Sequence, residues 1–415
     1  MTRPDNPDSV PDPSRREFFR TFSRQTVRQA GAVVGAAAEL RRTSLAAARE
    51  LLDPAATPAA EADASEPQRP PSDPVEATFR SPYRFSGTEL VVQDLRQLPG
   101  RVTTITLGEP SEVASAIRAG AINAGPVLAQ VVAYAMVIAA RRAADRPQVG
   151  RRQQMRAAAG TLRAARRDVR ALEWAVDRME ARYDELVNGD TSGAEIADAL
   201  GAEADAIATA ATEAHLAIGR HGARLISPPA EEPINLLLHA DMGPLSCGMV
   251  GMGTALIQEL TDAGRGVHVW LTECAPSDEG GRISAVQFAQ LDALCTVIPD
   301  SAVGWLFERL TIDAVMLRGD RVAANGDTGV LIGGLGVARL AHDAGVPVHV
   351  MAPLASVDPA AADSTWLRSD QPALTPTARL NPTSDVVPAD LITSLVTEAG
   401  VLRRPFGAAL AAAAG

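Results

Sequence analysis

The second half of the chain alternates short apolar runs with longer amphipathic stretches. From Pro233 onward each short run is followed by a segment whose apolar residues have helical spacing. The runs predicted as strands are Leu236–His239, Val267–Thr272, Cys295–Ile298, Ala314–Leu317 and Val346–Met351. Strands that alternate with helices form parallel sheets with crossover helices, so the pattern predicts an α/β fold with a Rossmann-like parallel sheet.

The segment before this sheet has a different pattern. Glu89–Val92 predicts a strand, and helical periodicity continues for about a hundred residues from Pro110 onward. We therefore expect a mostly helical N-terminal domain over residues 81–219 and a Rossmann-like C-terminal domain over residues 220–405. Residues 406–415 form a tail, and its alanine-rich part, Gly407–Gly415, is expected to fray.

Residues 1–80 are predicted to form an arm with a disordered start, an amphipathic helix and a proline-rich linker. Ser14–Arg20 resembles a twin-arginine export signal, but arginines and a glutamate interrupt the apolar region that such a signal needs. We therefore expect the helix, within residues 14–52, to dock on a protein partner, and we expect a cytoplasmic location. Export through the twin-arginine-like segment is the alternative.

Composition excludes several classes of chemistry. The 415 residues include 39 basic and 50 acidic ones, and the net charge of −11 disfavours nucleic acid and anionic membranes as partners. All basic residues are arginine, which excludes a Schiff-base lysine and a P-loop lysine. No apolar run reaches the ~18 residues of a membrane span. The spacing of Cys247, Cys274 and Cys295 matches no zinc or disulfide pattern, and neither a metal nor another cofactor is expected.

Ionisable side chains follow four of the predicted strands. His239 and Asp241 follow the first strand, Glu273 the second, Asp300 the third and Asp320 the fourth. Because the carboxyl ends of parallel strands meet at one edge of a sheet, these carboxylates are expected to converge on one rim. Such a cluster binds a cation, or it raises the pKa of at least one carboxyl group, which then transfers protons. The alternative for each single aspartate is an N-cap of the next helix.

The segment after the fourth strand carries the most specific motif. Gly319–Asp327 reads GDRVAANGD, and it resembles the G-A-D-R-I-A-x-N-G-D signature of the methylthioribose-1-phosphate isomerases. That family shares a superfamily with ribose-1,5-bisphosphate isomerases and initiation factor 2B subunits. Further similar segments follow the same order within residues 82–405, and they are Leu98–Gly100, Trp174–Met179, Ala217–Ala223, Gly253–Leu256, Ala352–Ala355, Asn381–Pro382, Asp385–Val386 and Leu391–Thr393.

This resemblance implies an aldose–ketose isomerisation of a sugar phosphorylated at its anomeric carbon, in which a hydrogen moves from C2 to C1. It also implies a cysteine and an aspartate as the proton-handling pair in an apolar site. Asp320 matches the aspartate, and Gly319 and Asn325 lie in the same loop. The cysteine of the family's T-H-C-N-x-G segment is replaced by Ala240, and the next thiol along the chain is that of Cys247.

The resemblance also implies the residues that line the substrate site. Arg166 matches an arginine of the family's R-P-T segment, and a family Q-G-x-R segment matches the residues from Glu279 to Arg282. The residues expected to bind substrate are Asn123, Arg166, His239, Asp241, Gly243, Glu279, Arg282, Gly319 and Asn325, with Asp320 as the catalytic residue.

Phosphate recognition departs from the family pattern. Asn123 replaces the arginine that precedes Gly-Ala-Pro, and Val330–Leu331 replace an asparagine–lysine pair. Each charge-assisted contact contributes roughly 1.5–3 kcal/mol, so a phosphosugar should bind more weakly than in the family. Asp241, Glu279 and Asp320 favour a neutral or cationic ligand in this less cationic site.

Two functions are consistent with these observations. The first is an isomerase of the aldose–ketose type, acting on a sugar 1-phosphate or a related small metabolite at an altered substrate site, with Asp320 as acid and base. The second is a non-catalytic metabolite-binding or regulatory protein on the scaffold of the initiation-factor subunits. In both cases we expect a small-molecule ligand, such as a sugar, sugar phosphate or nucleoside, and a homodimer.

Overall fold

The computed structural model describes residues 82–226, 233–291, 293–365 and 382–414. These residues belong to one compact unit, Asp73–Gly415. The predicted arm with its twin-arginine-like segment lies outside the described residues, as does Asn381. Among the described residues, no helix is both long enough and apolar enough to cross a membrane.

The N-terminal part of the described chain combines a small antiparallel sheet with long helices. The sheet has the order β1–β2–β3, with β1 at Tyr83–Phe85, β2 at Leu90–Gln93 and β3 at Thr104–Leu107. The helices are α1 (Pro110–Arg118), α2 (Val127–Ala143), α3 (Gln148–Arg163), α4 (Arg170–Val187) and α5 (Gly193–Leu225). The mostly helical character predicted for this part is confirmed.

Helix α2 forms the centre of the helical part. Its apolar residues cover every side, and nearly the whole helix is buried against α3, α4 and α5. Its buried amide, Gln130, accepts a hydrogen bond from the Tyr83 hydroxyl and donates one to the Cys247 carbonyl, both at 2.7 Å. The longest apolar run of the sequence is therefore a core helix whose polar side chain is satisfied.

The C-terminal part is built on a mainly parallel sheet with the order β14–β13–β10–β7–β4–β5–β6, in which only the β13–β14 pair is antiparallel. In chain order its elements are β4 (Ile234–His239), α6 (Pro244–Cys247), α7 (Met252–Asp262), β5 (Val267–Thr272), α8 (Ala285–Phe288), β6 (Leu294–Ile298), α9 (Val303–Arg309), β7 (Ala314–Arg318), β8 (Arg321–Ala323), β9 (Thr328–Leu331), α10 (Gly334–Asp343), β10 (Val348–Met351), β11 (Val357–Asp358), β12 (Ser384–Val387), β13 (Ser394–Thr397), β14 (Gly400–Arg403) and α11 (Phe406–Ala414). The α/β class and the Rossmann-like sheet are confirmed.

Helix α5 joins the helical part to this sheet. Ser192 and Glu195 form a capping box at its start, in which each side chain accepts a hydrogen bond from the other residue's backbone N–H. The helix then continues past residue 219, where the helical domain was expected to end, and it packs on both α2 and α7. Gly219 permits the close approach to α7, because a Cβ atom there would lie 2.5 Å from the Ala255 Cβ.

A second sheet, with the order β11–β8–β9–β12, begins directly after β7. Its hairpin β8–β9 turns at Asn325–Asp327, within the motif that resembles the family signature. The sequence pattern did not predict this sheet, because its strands have two to four residues and are too short to show a period.

The expectation that the alanine-rich tail frays is wrong for residues 407–414. They belong to helix α11, whose Phe406 and Leu410 side chains are buried in the apolar core of the C-terminal part. Phe406 packs on Gly326 at the tip of the β8–β9 hairpin, where a Cβ atom would lie 2.5 Å from the phenyl ring. Alanine favours helix strongly, so a low-complexity sequence with two well-placed apolar side chains forms a docked helix.

Candidate active site

Arg318 lies at the centre of the carboxyl rim of the main sheet. It is the last residue of β7, and its side chain is fully buried. Its Nε and Nη2 donate to the two carboxylate oxygens of Asp320, at 2.8 and 3.3 Å. Its Nη1 donates to the Asp241 carbonyl at 2.6 Å and to Glu279 Oε1 at 3.3 Å. One guanidinium thus ties together the loops that follow β4, β5 and β7.

Arg318 is a site residue that the sequence analysis missed. The predicted strand ended at Leu317, and the arginine was counted only with the other basic residues. The sequence signal that could have revealed it is its position, because Arg318 directly continues a wholly apolar strand. A charge buried in this way requires partners of opposite charge.

Asp320 is buried directly after β7. Burial raises the pKa of its carboxyl group, and the Arg318 guanidinium opposes that shift because it stabilises the ionised form. Arg166 also acts on this carboxylate electrostatically, and its own guanidinium forms a double hydrogen bond with Asp168 at 2.8 and 2.6 Å. The structure therefore brings the predicted residues Asp320 and Arg166 into one electrostatic environment.

Asp241 organises the loop that follows β4. Its Oδ1 accepts hydrogen bonds from the Gly243 N–H at 3.1 Å, the Ser284 hydroxyl at 2.9 Å and the Gln287 amide at 2.8 Å. The Asn123 amide donates to its Oδ2 at 3.5 Å, so this predicted residue from the helical part reaches the rim. A carboxylate with this many donors holds loops together as well as contributing charge.

Glu279 completes the group of carboxyls around Arg318. Its Oε1 accepts a hydrogen bond from the Asp241 backbone N–H at 2.8 Å. Burial raises the pKa of the Glu279 and Asp241 carboxyl groups, and Arg318 opposes the shift in both. Three buried carboxyls face one guanidinium, so the site favours retention of a proton on one of them.

His239 lies in a second cluster, at the ends of β4, β5 and β6. Its Nε2 lies 3.3 Å from the Leu331 carbonyl oxygen and 3.0 Å from that of Ile332, and its Nδ1 lies 2.8 Å from the Thr272 hydroxyl. Carbonyl oxygens only accept hydrogen bonds, so Nε2 carries the proton. Burial lowers the pKa of the imidazole, which is therefore neutral.

Cys274, and not Cys247, is the thiol beside Ala240. The Ala240 N–H donates to Cys274 Sγ at 3.3 Å, and that sulfur lies 3.9 Å from His239 Nδ1. Cys247 lies in α6 with its sulfur 3.6 Å from the Ser246 hydroxyl, in the core between the helices and the sheet. Burial raises the pKa of both thiols to about 12.

Strained backbone is concentrated at this rim. Among the described residues other than glycine, those with a left-handed φ are Ala240 (74°), Cys274 (62°) and Asp278 (52°). The Asp300 carboxylate accepts hydrogen bonds from the Cys274 and Ala275 N–H groups at 3.0 and 2.7 Å, which fixes the loop after β5. Such conformations persist only where many contacts fix them, and they cluster at functional sites.

Three expected site residues make contacts that serve the fold. Arg282 Nη1 donates to the Leu98 carbonyl at 2.9 Å and so joins the rim to the N-terminal part. A Cβ atom at Gly319 would lie 2.8 Å from a β10 side chain, so glycine permits the close packing of β7 and β10. Asn325 Oδ1 accepts a hydrogen bond from the Asp327 N–H at 2.9 Å and shapes the hairpin turn.

Comparison with known proteins shows which family the chain belongs to. Residues 121–404 match the profile of the initiation factor 2 subunit family. The methylthioribose-1-phosphate isomerase of Desulforudis audaxviator is 34% identical over 356 residues, which cover 82% of this chain and 98% of the relative. A protein of the same name from Thermus thermophilus is 32% identical over 80% of this chain and 98% of its own length. The chain belongs to the methylthioribose-1-phosphate isomerase family.

Solved structures show the same fold. The 5-methylthioribose 1-phosphate isomerase of Pyrococcus horikoshii superposes with a TM-score of 0.68 at 24% identity, covering 80% of this chain and 95% of the other. The delta subunit of initiation factor eIF-2B from A. fulgidus superposes with a TM-score of 0.63 at 23% identity, covering 79% and 97%. One fold thus carries both an isomerase and an initiation-factor subunit.

Arg318 departs from the family signature. When Asp320 and Arg321 are aligned with the D-R pair of G-A-D-R, Arg318 stands at the glycine and Gly319 at the alanine. The exchange places a guanidinium beside Asp320 where the signature has no side chain. The sequence interpretation considered the cationic residues of the family that this chain lacks. It overlooked Arg318, a cationic residue that this chain has and the signature does not.

Proposed function

We propose that this protein is an aldose–ketose isomerase that acts on a sugar phosphate or a related small metabolite at an altered substrate site. The observation that supports this most directly is the buried Asp320 carboxylate, which shares one hydrogen-bonded group with Arg318, Asp241 and Glu279. The isomerase relatives match this chain over nearly their whole length. An isomerisation of this class needs a group that takes a proton from one carbon and returns it to the neighbouring carbon.

In the proposed mechanism, Asp320 moves the proton and Arg318 stabilises charge. The ionised Asp320 carboxylate takes the proton from C2 of the open-chain aldose, and the electron pair of that bond forms the C1–C2 double bond of an enediolate. Arg318 stabilises the negative charge on the substrate oxygen, because a fixed cation in a buried site interacts strongly. The protonated Asp320 then returns the proton to C1 while the O2 hydroxyl proton passes to O1, so that a hydroxyl remains at C1 and a carbonyl forms at C2.

The substrate is expected to differ from that of the relatives in its anionic group. Val330 and Leu331, which stand where the family has an asparagine–lysine pair, are buried apolar residues of β9. Asn123 is engaged with Asp241, and Arg166 is already paired with Asp168. Each missing cationic contact weakens phosphate binding by roughly 1.5–3 kcal/mol, so a less strongly charged metabolite is favoured.

A non-catalytic metabolite-binding or regulatory role is the second candidate. Two observations favour it: Ala240 stands at the cysteine position of the family segment, and both oxygens of Asp320 accept hydrogen bonds from Arg318. The Arg318 guanidinium stabilises the ionised form of this carboxylate and so weakens it as a base toward a substrate proton. A binding protein needs the pocket but no such base.

Two measurements on the purified protein separate these candidates. A thermal-shift screen with sugars, sugar phosphates and nucleosides identifies the ligand, because a ligand at a hundredfold excess over its Kd stabilises by about 2.7 kcal/mol. Direct product analysis then follows conversion of each stabilising ligand. We expect little or no turnover of methylthioribose 1-phosphate but turnover of another ligand. Stabilisation without conversion of any ligand would contradict the isomerase proposal and support the binding role.

The isomerase is further proposed to be a cytoplasmic homodimer that associates through its C-terminal part. Exposed apolar side chains on that part support the proposal: Leu294 and Val297 lie on the edge strand β6, on its two faces, and Trp305 lies on α9 with 57% of its surface exposed. Light scattering coupled to gel filtration tests it, with Trp305→Arg expected to shift the mass from two chains to one. A monomeric wild-type protein would contradict it.

A further inference from the structure

We propose that His239, Cys274 and Asp300 form a binding site for one zinc ion, which fixes the loops that carry Asp241 and Glu279. The three side chains offer an imidazole nitrogen, a thiol sulfur and a carboxylate oxygen, all within 4.8 Å of one another. They lie at the carboxyl ends of β4, β5 and β6, which are adjacent strands. A mixed nitrogen, sulfur and oxygen set suits zinc, whereas calcium and magnesium select oxygen ligands.

The imidazole is held in the orientation that a metal requires. Because Nε2 donates its proton to the carbonyls of Leu331 and Ile332, Nδ1 keeps its lone pair, with the Thr272 hydroxyl 2.8 Å and Cys274 Sγ 3.9 Å away. Histidines that bind zinc commonly donate their other N–H to a carbonyl or carboxylate, which fixes the tautomer and the ring plane. This second layer of contacts is already complete for His239.

The spacing of the ligand atoms is close to that of a tetrahedral zinc site. Bond lengths of about 2.0 Å to nitrogen and 2.3 Å to sulfur separate these two ligand atoms by about 3.5 Å at the tetrahedral angle, and the His239 Nδ1 to Cys274 Sγ distance is 3.9 Å. Each Asp300 oxygen accepts one backbone N–H, from Cys274 or Ala275, and keeps a second lone pair. The nitrogen and sulfur ligands therefore need a shift of a few tenths of an ångström, and the Asp300 carboxylate, within 4.8 Å of both, is the third protein ligand.

Thr272 competes with the metal and is also placed to assist it. Its hydroxyl lies 2.8 Å from His239 Nδ1 and 3.3 Å from Cys274 Sγ. Metal binding replaces both contacts. In zinc sites with three protein ligands the fourth position is taken by water, and the Thr272 hydroxyl is near enough to the ligand atoms to hydrogen-bond to such a water.

Cysteine spacing could not reveal this site. Zinc motifs read from sequence rely on ligand pairs two to five residues apart, whereas Cys274 lies 35 residues from His239 and 26 residues from Asp300. The parallel sheet brings the three ligands together because each follows a neighbouring strand. The expectation that no metal binds rested on local spacing alone.

The test is a cobalt titration of the full-length, tag-free protein after treatment with a chelator. Cobalt(II) substitutes for zinc, and a bound thiolate gives it a charge-transfer absorption in the near ultraviolet. We expect one equivalent of cobalt per chain, displacement by zinc, and loss of the charge-transfer band in Cys274→Ser. Asp300→Asn should retain the band but weaken affinity on the order of 100-fold. The matched controls, Cys247→Ser and Cys295→Ser, should bind as wild type.

Three results would overturn the proposal: no charge-transfer band in the wild-type protein, a band that survives Cys274→Ser, or a band that disappears only in Cys295→Ser. If Cys274→Ser does not fold, as judged by circular dichroism, Asp300→Asn decides the question, and an unchanged affinity contradicts the site. Isomerase activity is not part of the readout, so the result stands whether or not the proposed function is correct.

Discussion

At the scale of single residues, Asp320 combines a proposed chemical role with a structural one. Asp320→Asn should lower turnover of the proposed isomerase by on the order of 10²–10⁴-fold, because the amide cannot take a proton. The same change should cost about 3–5 kcal/mol of unfolding free energy, since the buried Arg318 loses a charged partner. Product assays and urea denaturation measure the two effects.

A double variant separates the two roles of Asp320. Adding Arg318→Met to Asp320→Asn removes the uncompensated charge and should restore part of the lost stability without restoring turnover. Stability that remains equally low in both variants would mean that Asp320 supports the fold by something other than its ion pair. Turnover that survives Asp320→Asn would remove the residue from the mechanism.

Arg318 itself predicts a pH-dependent defect. In Arg318→Met, the pKa of the Asp320 and Glu279 carboxyls rises further, because burial is no longer opposed by the guanidinium. A group whose pKa is higher in the folded than in the unfolded state adds stability at low pH, and this is lost as pH rises through the folded value. The unfolding free energy of the variant should therefore be closest to that of the wild type near pH 4.5 and furthest below it near pH 8.

Urea denaturation at the two pH values measures this difference. The exposed Arg309→Met is the matched control and should change stability by less than about 0.5 kcal/mol at either pH. A defect in Arg318→Met that is equal at both pH values would show that its carboxyl partners do not titrate in this range.

At the scale of elements, the tail helix α11 is expected to stabilise the hairpin that follows Asp320. Phe406→Ala should lower the free energy of unfolding by about 3–5 kcal/mol, because it leaves a cavity against Gly326 in the core. Ala411→Ser, on the exposed side of the same helix, should change stability by less than about 0.5 kcal/mol. Thermal and urea denaturation test both variants. Equal stability of Phe406→Ala and the wild type would show that the tail is frayed, as the sequence predicted, and not docked in the core.

At the scale of the whole molecule, buried histidines should make the protein sensitive to acid. Burial lowers the pKa of His215 and of His349 to about 4. A group with a lowered folded pKa adds stability above the unfolded value of about 6.5, and this is lost as pH falls. Each of these histidines should therefore lower the unfolding free energy of the protein by about 2 kcal/mol between pH 7 and pH 5. His215→Gln should reduce this loss by about that amount, whereas His342→Gln, which is exposed, should leave it unchanged.

Removal of residues 1–80 should leave the melting temperature of the remaining chain nearly unchanged. The reason is compositional, since a proline-rich linker does not pack a helix rigidly, and an isolated helix is marginal in water. Calorimetry of the full-length and shortened proteins measures it, and cell fractionation with co-purification tests the docking role of residues 14–52. A shortened mature form outside the cytoplasmic membrane would contradict the cytoplasmic proposal, and a large drop in melting temperature would contradict the independence of the arm.

The sequence by itself determined the elements whose pattern is local. The five strands predicted from apolar runs are β4, β5, β6, β7 and β10, with ends that differ by two residues or fewer, because alternation and length are properties of neighbouring residues. The convergence of ionisable side chains at the carboxyl ends of the strands was predictable, because parallel strands end at one edge of a sheet. The family was predictable because long motifs occur in a fixed order along the chain. The short strands β8, β9, β11 and β12 lacked a period and were missed.

Only the tertiary structure decided how the ionisable residues are grouped. It divides the predicted rim into two clusters: Asp241, Glu279 and Asp320 around Arg318, and His239, Cys274 and Asp300 beside them. The charge state of a buried group depends on which partners reach it, and the partners that join different loops lie 26 to 118 residues apart in the chain. Sequence patterns record local spacing, whereas contacts between loops exist only once the sheet has formed.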